Sequence, residues 1–318
     1  MRVFTDSDIA ATLREFGREA LIWRQLWHPN LLPFFGIYYL DKRLCLVSPW
    51  MEAGNILAYL QTSQRPVIET ERLSLMFDVA QGLRYLHGNN VVHGDLKAAN
   101  ILVTPSGRAC IADFGLASIV DTITVRFKQS TTTVNGGTVR YQSPELIHGE
   151  RRNFASDVYA YACTCYEILV EKVPFYEVIN EAAVIFKVLS GIRPSCPPQC
   201  AQSLALRELW QIFKQCWEES TANRPLVGEI VQRLQGDPIF AQTTRVQMAD
   251  WDETFTSKFR HHIQPKHASM TLEHFIPSSS DEPGIPNRLK PTEEISGIIV
   301  KRKYETEDRA QEKRIKVV

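Results

Sequence analysis

The run "SDVYAYACTCYEILV" (156–170) is apolar nearly all the way round a helix. A helix without a polar face has to be enclosed by other elements, so this one marks the centre of a domain. Its neighbours can be read from the same sequence. "ERLSLMFDVAQGLRYLHGNN" (71–90) carries an apolar stripe and ends at Gly88, a residue suited to helix C-termini. "NEAAVIFKVLSG" (180–191), "LRELWQIFKQCW" (206–217) and "PLVGEIVQRL" (225–234) read as three further helices. Upstream, "TDSDIAATLREFGREALIWRQLW" (5–27) opens with capping residues, and Ile9, Leu13, Phe16, Ala20, Trp23 and Trp27 follow at helical spacing. Pro29 stops that helix. Two strand-like runs come next, 33–40 and 43–48, joined by a turn at Asp41-Lys42. After Gly236 the character changes: residues 241–296 are polar, irregular and rich in Pro and Ser, the composition of a tail or linker.

The remaining composition excludes several function classes. Formal net charge is +0, so no global field draws the chain to nucleic acid or to an anionic membrane. "LLPFFGIYYL" (31–40), the longest nearly apolar run, is too short to span a bilayer and contains a proline. "MRVFTDSD" lacks the apolar core of a secretory signal, which predicts a cytoplasmic or nuclear chain. Seven cysteines, an odd count without framework spacing, suit a reducing compartment. Cys163 and Cys165 fall in the buried helix as small apolar residues, and the loop bearing Cys196 and Cys200 offers too few ligands for a metal.

Chemistry concentrates in "HGDLKAAN" (93–100) and "DFG" (113–115). Phosphoryl transfer needs a base for the attacking hydroxyl, metal ligands for the phosphates, and a cation for the moving charge. Asp95 fits the base, Lys97 the cation, and Asn100 with Asp113 the oxygen ligands that Mg²⁺ prefers. Each has a plainer reading: a loop aspartate, a solvated lysine, a strand-to-loop turn. The order and spacing of the whole set decide between them.

D-x-x-x-x-N, then DFG, then "SPE" (143–145) follow in the order of the eukaryotic protein kinases, and the chain resembles that family, in particular its tyrosine-kinase-like group. The likeness covers roughly residues 5–236. It implies an α+β, protein-kinase-like two-lobed fold with a truncated N-terminal lobe and a large, mainly helical C-terminal lobe. It also implies that Thr138 bridges base and lysine, that Glu145 pairs with Arg224, and that Asp157 holds the catalytic loop. Trp23, Phe34, His93 and Phe114 match an apolar stack. For the nucleotide, Ser48 falls at the gatekeeper position, Met51 where hinge backbone meets adenine, and Leu102 at the adenine floor. ATP and Mg²⁺ are the implied cofactors and a protein the implied substrate. Lys97 with Ala98-Ala99, and Thr138, resemble the serine/threonine members.

The chain departs from the pattern in two places. His93-Gly94-Asp95 stands where the family has His-Arg-Asp, removing the arginine that receives an activation-loop phosphate. "KQSTTTVNGG" (128–137) therefore reads either as a site of phosphorylation at Ser130 to Thr133 or as a solvated loop. The second departure is larger. Family spacing makes Glu19 the helix glutamate that pairs with a strand lysine, yet the first lysine of the chain is Lys42, and Gly17 is the sole glycine before Gly36. With no Gly-rich loop, the small lobe reduces to a hairpin and one helix, marginal in water, and 43–48 is expected to leave an open strand edge. Two accounts follow: a start codon placed too late in an active kinase, or a pseudokinase whose large lobe serves as a binding scaffold.

The expected domains are 1–48 (truncated N-lobe), 49–236 (C-lobe) and 237–318 (a polar, largely disordered tail). Lys301-Arg302, with Lys313-Arg314 and Lys316, have the spacing of a bipartite import signal, which would bring in a nuclear-import receptor. The plainer reading is a solvated helix with pairs such as Glu305–Arg309.

Overall fold

The computed structural model describes residues 17, 19–40, 43–63, 66–114, 117–119, 138–236, 238, 240, 250 and 298–301. In chain order its elements are α1 (described at 17 and 19–25), β1 (Gly36–Leu40), β2 (Arg43–Pro49), α2 (Ile56–Thr62), α3 (Glu69–Gly88), β3 (Val91–Val92), β4 (Ile101–Val103), β5 (Ala109–Ile111), β6 (Ser118–Ile119), α4 (Pro144–Ile147), α5 (Phe154–Val170), α6 (Glu181–Leu189), α7 (Leu204–Cys216), α8 (Val227–Gly236) and β7 (Ile298–Lys301). They fall into two units. The small unit holds Met1–Leu26, Pro33–Trp50 and Trp251–Val318, and the large unit holds Trp27–Leu32 and Met51–Asp250.

In the large unit, every residue of α5 from Ser156 to Leu169 is buried. It packs against α3 and α7, and α3 in turn against α8. The helix starts two residues earlier than its apolar run, at Phe154. Asn153 is the reason: its side chain accepts from Ser156 N–H while the Ser156 hydroxyl accepts from Asn153 N–H. Asn55, Asn180 and Ser203 cap α2, α6 and α7 by the same kind of bond. Cys163, Cys165 and Cys216 are free and buried, and burial pushes the Cys163 thiol up to about 12.

Two short hairpin-like pairs lie beside these helices: β3 with β6, and β4 with β5, both antiparallel. Residues 27–32 strap onto this layer. Leu32 N–H donates to Ile111 O (2.8 Å), and Ile111 N–H to Asn30 O (2.9 Å). The Asn30 amide reaches Ala109 O (2.9 Å), and Trp27 N–H reaches the Tyr85 hydroxyl (3.1 Å). Gly82, within α3, admits this strap, since a Cβ there would come within 2.7 Å of Asn30 O. Beneath the same layer Arg108 binds Asp78 through Nε at 3.0 and 2.9 Å, a buried pair.

In the small unit, β1 and β2 form the expected hairpin, with Gly36 opposite Val47 and Leu40 opposite Arg43. Residues 33–35, included in the strand-like run, precede β1 as irregular backbone, although Phe35 N–H still donates to Val47 O at 2.9 Å. Trp23 and Phe34 stack with ring centroids 5.1 Å apart. The open edge expected on residues 43–48 is corrected by the structure. β7 pairs antiparallel with β2, giving a three-stranded sheet of order β1-β2-β7. "IIVK" is a β-branched run within an otherwise polar tail, and an exposed ladder of amides is the surface such a run satisfies. The rest of the tail, the Asp41-Lys42 turn and residues 5–16 of the leading helix lie outside the described residues, apart from Phe240 and a few neighbours.

Candidate active site

The loop 93–100 hangs from the N-terminal turns of α5. Asp157, 1% exposed, accepts N–H bonds from His93 (2.8 Å) and Gly94 (2.9 Å), and its carboxylate also meets His87 Nε2 at 3.0 Å. Gly94 has φ +79°, a left-handed backbone that suits glycine, and its carbonyl accepts from Arg152 Nε at 3.0 Å. His93 is fully buried. Asp95 N–H donates to its Nδ1 (3.3 Å), so the ring proton sits on Nε2 and points to Ala112 O at 3.1 Å. The same ring meets Phe114 edge-on, centroids 5.6 Å apart.

These anchors fix three polar groups together. Lys97 Nζ lies 2.7 Å from Asp95 Oδ2. The Asn100 amide nitrogen donates to Asp95 O (2.8 Å) and to Asp95 Oδ2 (3.2 Å). Asn100 O accepts from Ala112 N–H at 2.8 Å, which continues the β4–β5 register and sets Asp113 one residue past the point opposite Asn100. Asp113 itself has φ +66°, a conformation uncommon for an aspartate and often held at functional positions. Asn100 commits its nitrogen to Asp95, so its oxygen is the atom able to meet a metal. That oxygen and the Asp113 carboxylate are both hard donors of the kind Mg²⁺ takes. Among the described residues no group of three or more His, Cys, Asp or Glu could hold a metal, and a two-donor set suits Mg²⁺, which keeps water and phosphate ligands.

A second layer of support was not legible in the motifs. Glu167 of α5 accepts from Ala98 N–H (3.2 Å) and from the Tyr141 hydroxyl, joining the loop to the 3-10 turn Thr138–Tyr141. Burial raises the Glu167 carboxyl above its usual range against the opposing pull of Tyr141, Ala98 and Lys97. A lone glutamate within the apolar "TCYEILV" was the available signal, because a buried carboxylate demands donors. Arg140 is a second such residue, donating to the carbonyls of Pro174, Phe175 and Val178. Glu145 and Arg224 meet as the resemblance implied, Nη1–Oε1 2.7 Å and Nη2–Oε2 2.8 Å, over the Tyr159 ring. Burial acts to raise the Glu145 carboxyl, but Arg224 outweighs it and holds the group below its ordinary value.

Of the residues assigned to the nucleotide, Met51 is buried and its carbonyl accepts from Gly54 N–H (2.9 Å), while Leu102 lies half-buried in β4, bridged to Asn55. Ser48, in β2, and Glu19, in α1, belong to the small unit and are buried there. The implied stack is thus described as two pairs, Trp23–Phe34 in one unit and His93–Phe114 in the other. Thr138 opens its 3-10 turn; the loop 128–137 and Gly115 lie outside the described residues.

Residues 2–234 match the family described as protein tyrosine and serine/threonine kinase. The chain belongs to that protein kinase family. It is 31% identical over 225 residues to the serine/threonine-protein kinase STY17 of Arabidopsis thaliana, a match covering 71% of this chain and 38% of that protein. To the serine/threonine-protein kinase STY46 of the same plant it is 32% identical over 231 residues, 72% of this chain and 38% of the other. The serine/threonine/tyrosine-protein kinase HT1, also from Arabidopsis thaliana, is 29% identical over 223 residues, covering 70% and 54%. The chain therefore spans well under half the length of the first two relatives.

Proposed function

We propose that the chain transfers the γ-phosphate of ATP to serine or threonine hydroxyls of a protein substrate. The carrying observation is the Asp95 cluster, a carboxylate held by Lys97 and Asn100 on a loop suspended from the buried Asp157. Asp95 accepts the proton of the attacking hydroxyl, and Lys97 faces the charge of the moving phosphoryl group. Asn100 Oδ1 and the Asp113 carboxylate would hold Mg²⁺. The ion, when bound, neutralises phosphate charge. Met51 and Leu102 serve the adenine, Ser48 keeps the gatekeeper position, and Thr138 bridges base and lysine. The serine/threonine kinases among the relatives, and Lys97 with Ala98-Ala99, support the hydroxyl class. A cytoplasmic location, with import through the C-terminal basic clusters, rests on sequence alone.

Mg·ATP binding gives the test. At 100 times its Kd a ligand adds about 2.7 kcal/mol of stability, so Mg·ATP is expected to raise the Tm of the full chain by several degrees. Asp113→Asn is expected to remove most of that shift. An unresponsive wild-type Tm would sink the ATP-dependent reading. A shift without any phosphoryl transfer would assign the fold to a scaffold that binds nucleotide.

A further inference from the structure

Of the seven cysteines, Cys196 alone is exposed; the others are buried. It does not stand by itself. "SCPPQC" (195–200) sets Cys200 four residues on, in the 3-10 turn Pro198–Ala201. The two residues converge on one carbonyl. The Cys196 thiol donates to Pro197 O at 3.8 Å, and Cys200 N–H donates to the same oxygen at 3.0 Å. Pro197 and Pro198 restrict φ between them, so a stiff stretch of backbone holds the two sulfurs near one another. Burial pushes the Cys200 thiol up to about 12, and the neighbouring Cys196 adds to the rise.

Cys196 also lines an open cavity of about 390 Å³, bounded by Tyr166 and Val170 of α5 and by residues 195–199. A small solute therefore reaches its sulfur, whereas Cys200 is 3% exposed. Two sulfurs fall short of the ligand set of a structural zinc site, and among the described residues no third ligand joins them. Their chemistry is that of a dithiol. An accessible thiol beside a second one able to displace its oxidised form is the arrangement in which cysteine oxidation is reversible.

We propose that Cys196 and Cys200 form a reversible, peroxide-sensitive dithiol in which Cys196 reacts first and Cys200 resolves. The Cys196 sulfur attacks an oxygen of hydrogen peroxide. An S–O bond forms, the O–O bond breaks, the sulfur is oxidised to a sulfenic acid, and the other oxygen leaves as water with the thiol proton. The Cys200 sulfur then attacks the sulfenic sulfur. The S–S bond forms, the S–O bond breaks, and the hydroxide leaves as a second water with the Cys200 proton. Two thiols and one peroxide thus give one disulfide and two waters. A dithiol reductant reverses the change by exchange. The site uses no nucleotide, and so stands or falls apart from the kinase reading.

The experiment treats the folded 318-residue chain with hydrogen peroxide, then alkylates the remaining thiols in denaturant and digests with trypsin. Residues 188–207, between Lys187 and Arg207, form one peptide that holds both cysteines and no other, because Pro194 protects Arg193 from cleavage. By mass spectrometry that peptide is expected to lose two hydrogens and to escape alkylation, and dithiothreitol to restore both. Cys45, Cys110, Cys163, Cys165 and Cys216 are expected to stay alkylated. In Cys196→Ser, at an exposed position, Cys200 is expected to remain reduced. In Cys200→Ser, dimedone is expected to trap a sulfenic acid at Cys196. A wild-type chain whose Cys196 stays alkylated, or ends as a sulfinic acid or a bridge between two chains, would overturn the pair. Oxidation of Cys200 in Cys196→Ser would overturn the assigned order. The wild type and Cys196→Ser carry the test even where Cys200→Ser does not fold.

Discussion

His28 shows how much a single side chain can carry here. Its Nδ1 accepts from Asn30 N–H at 3.1 Å and its ring lies 5.0 Å from that of Tyr85, an arrangement that needs the neutral imidazole. Burial, then the charges of Arg84 and Arg108, lower its pKa from 6.5 to about 4. The unfolded chain takes up a proton at His28 before the folded one does, so its contribution to stability is intact above pH 6.5. It declines as the pH falls from 6.5 towards 4. Tm measured across that window should fall less steeply in His28→Gln than in the wild type. Asp157 works through the donors it accepts from: Asp157→Ala strands the buried N–H of His93, worth about 1–3 kcal/mol when left unpaired, and the half-buried N–H of Gly94. Denaturant unfolding should show a loss of that order, and any transferase activity should fall with it. Asp95, Lys97 and Asn100 were legible because their spacing along one loop is short enough to specify geometry. His28 was not, because the ring and charges around it, those of Tyr85, Arg84 and Arg108, come from far off in the chain.

At the level of elements, the helices were legible from apolar periodicity, but their first turns were set by caps. α5 starts at Phe154 because Asn153 and Ser156 exchange hydrogen bonds, a detail its hydrophobic pattern does not contain. Gly82 makes the converse point. Within a helix, Gly→Ala ordinarily stabilises by about 1 kcal/mol. In α3 the added methyl would meet Asn30 O at 2.7 Å, a backbone atom of a strap pinned at both Ile111 and Ala109. Gly82→Ala is therefore expected to destabilise by about 1–3 kcal/mol, and urea unfolding would settle the sign. β7 escaped the reading for a different reason. Three apolar residues and a lysine in a polar tail carry little signal alone, and their pairing with β2 depends on an edge some 250 residues away.

For the whole molecule, the sequence carried the family because its chemistry sits on loops anchored by α5, and the chemical residues follow one another at short, ordered spacings along the chain. The nucleotide assignments are divided between the two units, with Ser48 and Glu19 in one and Met51, Leu102, Asn100 and Asp113 in the other. Local motifs could name these residues, whereas the source of the small unit's third strand could be found only from the paired backbone. The central claim is that Asp95, held by Lys97 and Asn100, serves as the base of a phosphoryl transfer. The most direct measurement is transfer of labelled γ-phosphate from Mg·ATP to serine- and threonine-containing protein by the full chain, beside Asp95→Ala. The account predicts transfer by the wild type and a loss of about 10²–10⁴-fold or more in the variant. Full turnover by Asp95→Ala, or no transfer by a wild-type chain that binds Mg·ATP, would contradict it.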